Sequence, residues 1–434
     1  MYKKILAFSQ KEENKELLLH SSLALIIRVG GAAASFVMNI VIARYLGATE
    51  SGYFFLAVTV STIMVSIGRI GGDQIILRYV SIYNEKGEWK KVNGIMSKIM
   101  SWSLLATIII TVPTCIFSKQ IAIYFFHKEQ LHWSLFWVGL SMPFFTAFNA
   151  FGIGLQGRRK VLISVTLLKI ATPFLLIALG ILFSPKNGSS ASFYYLVACA
   201  LTFLLGYYWW KQNIPAGREN VESSLLWKSC LSLWIVAIMQ QLVIWAGQFI
   251  AGIYNTPSEL AQLAVARNTS VLITFILTAV NYVSAPRFAS MYSEGRHEEL
   301  KTYARNTTRL MTIFATPFLL IVWLFPGFIM SFFGKDFSGG IWLLRILALG
   351  QFINVISGSV GYLLMMTGYE KDMRNITVIN GVLAVVLALI LNPIFGAIGS
   401  AISTAVVVAS SNLMAVGLVK KRLGFNTLSI LGFK

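Results

Sequence analysis

Four basic residues stand inside long apolar stretches of the sequence. They are Arg28, Lys169, Arg267 and Arg345. A guanidinium binds phosphate or carboxylate through two parallel hydrogen bonds, and an ammonium binds the same groups as a point charge. The acidic residues lie in tails, polar segments or the ends of apolar stretches, and only Asp73 is close to such a stretch. Cations without acidic partners predict a binding site for an anion.

A fifth basic residue marks the end of another apolar stretch, in the segment "SIGRIGGDQIILRYVS" at 66–81. Arg69 and Asp73 are four residues apart, a spacing that lets opposite charges pair on one face of a helix. The pair is either an anchor at a membrane surface or a gate at the mouth of a path for a charged molecule. Gly71 and Gly72 agree with both interpretations, because small residues let helices approach closely.

The sequence lacks the signatures of common catalytic and metal sites. We find no phosphate-binding loop, no nucleophile-elbow motif and no paired carboxylates in an apolar setting. The four histidines show no metal-ligand spacing, and the three cysteines lie singly in apolar runs. We therefore expect no catalytic residues, no metal and no cofactor.

The elements that carry these charges are predicted to be membrane helices. Of the 434 residues, 56% are hydrophobic and 12% charged, whereas about a quarter of a soluble domain is charged. A span needs about 20 mostly apolar residues, and this scale predicts an all-α membrane protein with twelve helices. Pro173 falls inside one of them and predicts a kink. The predicted ranges are 18–45, 52–72, 97–117, 132–153, 161–183, 192–211, 226–253, 259–284, 306–332, 338–366, 373–393 and 397–419.

The distribution of Lys and Arg sets the predicted orientation. Of the 36 basic residues, 26 lie on the side of the N-terminus and five on the opposite side. Basic residues concentrate on the cytoplasmic side of membrane proteins, so we expect both termini in the cytoplasm and no cleaved signal peptide. The same rule accounts for most of the net charge of +19 without nucleic acid.

Two internal matches divide the chain into halves. Glu50 matches Glu259 and Gly157 matches Gly368, and both offsets are near half of the chain length. An even number of helices in each half predicts parallel repeats, related by an axis along the membrane normal. The predicted domains are an N-terminal six-helix bundle at 1–210, a cytoplasmic linker at 211–225 and a C-terminal six-helix bundle at 226–434.

The predicted depth of the four cations in the membrane indicates that they do not face lipid. A basic residue that faces lipid near the bilayer centre costs about 3 kcal/mol, so we expect these side chains to face a wet cavity or a partner. Arg28 and Lys169 lie on the cytoplasmic halves of their helices, and the alternative for them is to reach the headgroups. Arg267 lies on the outer half of its helix, where that alternative is weakest, and is the first candidate.

Two stretches resemble the opening and closing patterns of bacterial polysaccharide-export flippases. They are "NIVIARYLGATESGYFFLAVTVSTIMVSIGRIGGDQIILRYVS" at 39–81 and "GYLLMMTGYEKDMRNITVINGVLAVVLALILNPIFGAIGSAIST" at 361–404. The resemblance implies the fold of the multidrug/oligosaccharidyl-lipid/polysaccharide exporter (MOP) superfamily, with two six-helix bundles forming a V around a central cavity. It implies a bacterial cytoplasmic (inner) membrane protein for polysaccharide biosynthesis of the O-antigen type. It identifies no sugar-contacting residue.

Taken together, the charges and the resemblance predict a flippase. Its cargo would be an undecaprenyl-pyrophosphate oligosaccharide, moved from the inner to the outer leaflet by alternating access. The predicted substrate-binding residues are Arg28, Lys169, Arg267 and Arg345, and the predicted residues of the cytoplasmic mouth are Arg69 and Asp73. Expected partners are the lipid-linked saccharide, membrane lipids, a coupling proton or sodium ion, and a polysaccharide polymerase with other biosynthesis proteins.

Several alternatives stay open. A cation-drug antiporter of the same fold would need an intramembrane carboxylate, and only Asp73 qualifies. A peptidoglycan-precursor flippase would have the same cation set. A membrane-embedded glycosyltransferase or polymerase would show clustered acids, histidines or a large loop outside the membrane, and a structural scaffold would leave the four cations unexplained.

Overall fold

The computed structural model describes residues 12–219 and 223–428, and these residues are almost entirely helical. Ten helical stretches among them are long and apolar enough to cross a membrane. Two of the ten contain a glycine with non-helical backbone angles, Gly47 in one and Gly396 in the other, so each is a pair of helices. The described residues therefore form twelve spans, and the predicted number is confirmed.

The spans are labelled α1 to α12 in chain order. The first half contains α1 (12–46), α2 (48–68), α3 (Trp89–Ile116), α4 (Leu131–Gly157), α5 (Val161–Phe183) and α6 (Gly188–Asn213). The second half contains α7 (Ser223–Tyr254), α8 (257–293), α9 (His297–Leu324), α10 (Ile341–Ser357), α11 (370–395) and α12 (397–423). Short helices follow several of them, including Gly72–Glu85 after α2, Ser118–Gln120 with a π-helical turn at Ile121–Phe125 after α3, Pro326–Ser331 after α9 and Val360–Met366 after α10.

Three spans end earlier than the sequence predicts, each for a local reason. α2 ends at Gly68 because Ile70 and Gly71 have φ angles of 50° and 68°, which an α-helix cannot contain. α9 ends at Leu324 because Pro326 begins a separate short helix. α10 ends at Ser357 because the next residue, Gly358, has a φ angle of 84°. The end of α9 falls inside continuous apolar sequence, so hydropathy does not reveal it, whereas Arg69 directly follows the end of α2.

The connections between spans lie at two opposite ends of the molecule. We call the end where α1 turns into α2 the Gly47 end, and the end where α2 stops the Arg69 end. In the predicted orientation, the Gly47 end faces outward and the Arg69 end faces the cytoplasm.

The largest apolar core joins the two halves near the Gly47 end. It contains Phe54 and Leu56 of α2, Phe126 before α4, and Leu263 of α8, all buried. A second cluster lies near the Arg69 end and includes Cys230 of α7 together with side chains of the first half. Two further clusters lie within the second half. A cavity lies between the halves, alongside the main core.

Candidate functional site

The cavity between the halves has a volume of about 550 Å³, a size typical of sites that bind small molecules or their headgroups. Helices α1, α2, α5 and α6 line it from the first half, and α7 and α8 line it from the second. Its wall is mostly apolar and aromatic. The polar lining residues include Ser35, Asn39, Thr59, Gln248, Asn268 and Thr278, and the charged ones are Lys169 and Arg267.

Lys169 reaches the cavity from a π-helical turn of α5. The turn spans Thr166–Ala171, and such turns are frequent at functional sites. Pro173 lies four residues after Lys169 and has no N–H to donate to the Lys169 carbonyl, so the predicted kink takes the form of this turn. Gly31 of α1 packs so closely that a Cβ there would lie 2.7 Å from the Cβ of Lys169. The backbone of Lys169 is thus fixed where α1 and α5 touch.

Arg267 reaches the cavity from α8, just before a 3₁₀ segment at Val271–Thr274. Its guanidinium carbon lies 3.5 Å from the centre of the Trp245 ring in α7. Its Nη1 donates a hydrogen bond of 3.3 Å to Oε1 of Gln248, also in α7. Trp245 and Gln248 share a helix face because they are three residues apart. The cation is thus held by an aromatic ring and a neutral amide, and neither removes its charge.

The charge of the cavity has one sign. Among the described residues, those that line the cavity include no Asp or Glu. A positive charge exerts a stronger field in a partly dehydrated site of low dielectric constant than in bulk water. The arrangement therefore favours an anion and disfavours a cation. Within the described part of the chain, no group of three or more His, Cys, Asp or Glu side chains could hold a metal ion.

Arg345 lies away from this cavity. Its Nε and Nη2 donate hydrogen bonds of 3.2 and 3.1 Å to the carbonyl of Trp323 in α9. Its guanidinium also lies beside the rings of Trp323 and Trp342. The sequence predicts the position of Arg345 along its helix but not which face of the helix carries it. In the structure, Arg345 lies on the face of α10 that points toward α9. The side chain of Arg28 lies outside the described residues.

Arg69 and Asp73 form the predicted pair, with 2.7 Å between Nη1 and Oδ2, but not on one continuous helix. Arg69 lies in the break after α2, and Asp73 lies in the first turn of the short helix Gly72–Glu85. Nη1 is also 3.5 Å from Oδ1 of Asn149 in α4. The ion pair therefore spans the break and lies outside the cavity lining.

Two protein-family models match the chain. The model described as polysaccharide biosynthesis protein matches residues 19–292, which is more than half of the chain. The chain belongs to this family. A second model, described as MatE, matches residues 229–394. A search of curated protein sequences gives no match.

Solved structures share the whole fold. The inward-facing conformation of a multidrug resistance MATE family transporter of the MOP superfamily has a TM-score of 0.74 at 14% identity, covering 92% of this chain and 98% of that one. The Lipid II flippase MurJ in its inward closed conformation has a TM-score of 0.72 at 16% identity, covering 92% and 87%. A MOP superfamily transporter from Pyrococcus furiosus has a TM-score of 0.66 at 14% identity, covering 93% and 95%. Together with the family matches, the shared fold of two six-helix bundles makes the chain a member of the MOP superfamily, to which these transporters belong.

The two halves of the transporter meet tightly at the Gly47 end. Gly52 of α2 lies against the backbone of Pro257 at the start of α8, and a Cβ at Gly52 would overlap the Pro257 carbonyl. Lys128 donates a hydrogen bond of 2.8 Å from Nζ to the carbonyl of Gly252 in α7. Arg44 donates one of 2.7 Å from Nε to the carbonyl of Phe332. Two cations of the first half thus bind backbone carbonyls of the second.

At the Arg69 end, the break after α2 packs against α7. A Cβ at Gly71 would lie 2.7 Å from the carbonyl of Cys230 and 2.8 Å from the Trp234 nitrogen. Trp234 donates a hydrogen bond of 2.8 Å from Nε1 to the carbonyl of Ile67, close to where α2 ends. The sequence prediction connected the glycines here with helix approach, and the structure identifies α7 as the neighbour of Gly71 and α3 as the neighbour of Gly72.

Sequence reasoning missed Trp245 and Gln248, the two residues that contact Arg267. A signal for them exists in the segment "VIWAGQFIAG", where a single Gln interrupts an apolar run three residues after a Trp. A polar side chain inside a span is expected to face a partner or a cavity. The same argument that selected the cations would have selected Gln248.

Proposed function

We propose that this transporter is a flippase for a lipid-linked saccharide that carries a phosphate or pyrophosphate group. The observation that carries the proposal is the cavity that contains Lys169 and Arg267, with no carboxylate among the described residues of its lining. A cargo with a compact negative charge would pair with the Arg267 guanidinium in bidentate geometry, with Lys169 lining the same cavity. A cationic drug would have no carboxylate to bind, so the cavity charge disfavours a cation-drug antiporter.

The family supports a saccharide as cargo. The model that matches more than half of the chain is described as polysaccharide biosynthesis protein, and one neighbour of the same fold is a flippase for Lipid II. We infer an undecaprenyl-pyrophosphate oligosaccharide as the cargo, with a peptidoglycan precursor as the alternative, because both carry the same charged group. The lipid tail would stay in the bilayer while the cavity holds the headgroup.

We infer the orientation of the transporter in the membrane from the charge distribution. We infer a bacterial inner membrane location with both termini in the cytoplasm, because 26 of the 36 basic residues lie on that side. The contacts at the Gly47 end would then close the cavity toward the outside. Rocking of one bundle against the other would open that end and release the headgroup into the outer leaflet.

The test measures saccharide export and the lipid-linked intermediates in cells that lack the protein. A lipid-linked oligosaccharide should accumulate, and the parent gene should clear it. Arg267→Ala should lower the apparent affinity for cargo about 10- to 100-fold, the loss expected for one charged hydrogen bond. Arg267→Lys should be intermediate because Lys keeps the charge but loses the fork, and Arg267→Glu should be inactive.

The matched control is Arg345→Ala, which removes a guanidinium that lies outside the cavity and should leave transport near the parent level. All variants are compared at equal abundance in the membrane. Export at the parent level by Arg267→Ala and Arg267→Glu would refute the anion site. Accumulation of a peptidoglycan precursor instead would select the alternative cargo, and cation-drug sensitivity without any lipid intermediate would select the antiporter.

A further inference from the structure

The contacts of Arg267 leave most of its donors uncommitted. A guanidinium has five N–H donors that all lie in its plane. Within the described part of the chain, one of the five is used by the side chain, in the hydrogen bond from Nη1 to Gln248. Trp245 covers a face of the group, where no donor points. Since Arg267 lines the cavity, its uncommitted donors are available to a molecule bound there.

The two contacts fix different degrees of freedom of the guanidinium. Stacking on Trp245, with 3.5 Å between the guanidinium carbon and the ring centre, restricts the tilt of the plane. The hydrogen bond to Gln248 restricts rotation within that plane. Gln248 is itself only 4% exposed, so its amide sits in a packed setting. A group restricted in both ways loses little entropy when an anion binds.

We propose that Trp245 and Gln248 are positioning residues for Arg267. They hold its guanidinium so that the edge of the plane, where the N–H donors point, faces a phosphate oxyanion. This inference rests on the proposed function and adds to it the group that Arg267 recognises. A planar fork matches two oxygens of one phosphate, whereas a mobile Arg would act as a diffuse positive charge. The guanidinium held in this way favours phosphate or pyrophosphate over an anion whose charge is spread over a large group.

The neutrality of Gln248 is essential to this arrangement. A carboxylate at the same position would form an ion pair with Arg267, satisfy its charge internally and compete with the cargo. Gln248→Glu changes one atom of the side chain and keeps its shape, so it should preserve folding while it lowers anion binding. Gln248→Leu removes the hydrogen bond without adding charge.

The experiment measures binding of inorganic pyrophosphate to the purified full-length chain by calorimetry, with melting temperature recorded for every variant. Gln248→Glu should bind pyrophosphate at least tenfold more weakly than the parent and melt at the same or a higher temperature. Gln248→Leu should bind about threefold more weakly, and Trp245→Leu should lose more affinity than Trp245→Phe, because Phe still offers a ring to the guanidinium. Opposite changes in binding and in melting temperature distinguish positioning from a purely structural role.

The Arg267→Ala variant separates the failure of this inference from failure of the proposed function. If Arg267→Ala binds pyrophosphate like the parent, the anion site itself is wrong, and the inference is lost with it. If Arg267→Ala loses binding but Gln248→Glu keeps it, the site stands and the positioning role is wrong. If Gln248→Glu and Gln248→Leu lose binding only in proportion to a fall in melting temperature, Gln248 is a packing residue and the inference is also wrong.

Discussion

The two ends of the interface between the halves are built differently. At the Gly47 end, α2 lies on α8 without room for a side chain at Gly52, and Lys128 and Arg44 bind carbonyls of the opposite half. At the Arg69 end, α2 stops, and the break packs along α7 through Gly71 and Trp234. The first contact combines close backbone packing of α2 on α8 with hydrogen bonds from side chains near the ends of helices, and the second is a contact beside the break after α2.

This difference indicates which end of the interface separates and which end changes its helix angle when one half rocks against the other. A seal of close backbone contacts is lost as a unit when the halves separate, because each contact depends on the fit of its neighbours. A break with two left-handed residues lets α2 change its angle without bending a hydrogen-bonded helix. The Gly47 end is thus suited to separate as a unit, and the break at the Arg69 end is suited to let α2 change its angle as the halves move.

The largest expected effect comes from disrupting the close packing of α2 against α8 at the Gly47 end. Gly52→Ala places a Cβ against the Pro257 carbonyl, so α2 and α8 can no longer close. We expect transport to fall at least about tenfold, equivalent to about 1.4 kcal/mol. In a background without the three native cysteines, Ser35→Cys in the cavity should become more reactive toward an impermeant thiol reagent added outside.

The control for this change is Gly417→Ala in α12, where a Cβ would meet nothing within 4 Å. It should leave both transport and labelling unchanged. Equal behaviour of Gly52→Ala and Gly417→Ala would show that the seal does not limit opening.

A smaller effect is expected at the Arg69 end. Asp73→Asn leaves the charge of Arg69, which is only 16% exposed, without its carboxylate, and an unpaired charge in such a site is unfavourable. We expect transport to fall about three- to tenfold, equivalent to about 1 kcal/mol, while Asp73→Glu keeps most of it. The comparison is Asp372→Asn, which breaks the ion pair with Arg422 at the same end of the molecule. If both Asn variants transport equally well, the Arg69–Asp73 pair is only an anchor.

The smallest effect concerns Lys128, and it depends on pH. Burial lowers the pKa of the Lys128 amine from its ordinary value of 10.5, while the charge of Glu259 partly opposes the shift. The closed end therefore disfavours the protonated amine, so raising the pH toward the lowered pKa should favour closure. Outside labelling of Ser35→Cys should decline at alkaline pH, below 10.5, relative to the same cysteine in a Lys128→Met background.

Lys128→Met itself should reduce transport only about two- to fivefold, because it removes hydrogen bonds worth about 1 kcal/mol. Lys119→Met, at an exposed position on the same side, is the matched control. A pH response that persists unchanged in Lys128→Met would assign it to another group.

The sequence predicts the spans well because the energy of crossing a bilayer depends mainly on composition and length. It predicts that the four cations face a wet cavity or a partner for a similar reason, since a charge in lipid is costly wherever it lies. Lys169 and Arg267 line the cavity, and Arg345 binds the Trp323 carbonyl. It does not predict which neighbours they have. Lipid-facing and protein-facing surfaces of these helices are both apolar, so periodicity does not reveal which face of α7 carries Trp245 and Gln248 or which face of α10 carries Arg345. The break at Ile70 and Gly71 depends on tertiary contact with α7.

The Arg267 charge, in a cavity with no carboxylate among its described lining residues, would also couple transport to the membrane voltage. Moving one elementary charge through the full potential changes the free energy by about 2.3 kcal/mol per 100 mV. If rocking shifts the cavity within that field, the empty transporter carries positive charge with it, whereas a bound pyrophosphate cancels that charge. An inside-negative voltage would then draw the empty cavity back toward the cytoplasm and leave the loaded cavity largely unaffected. The cation that holds the cargo would thereby also drive the return step.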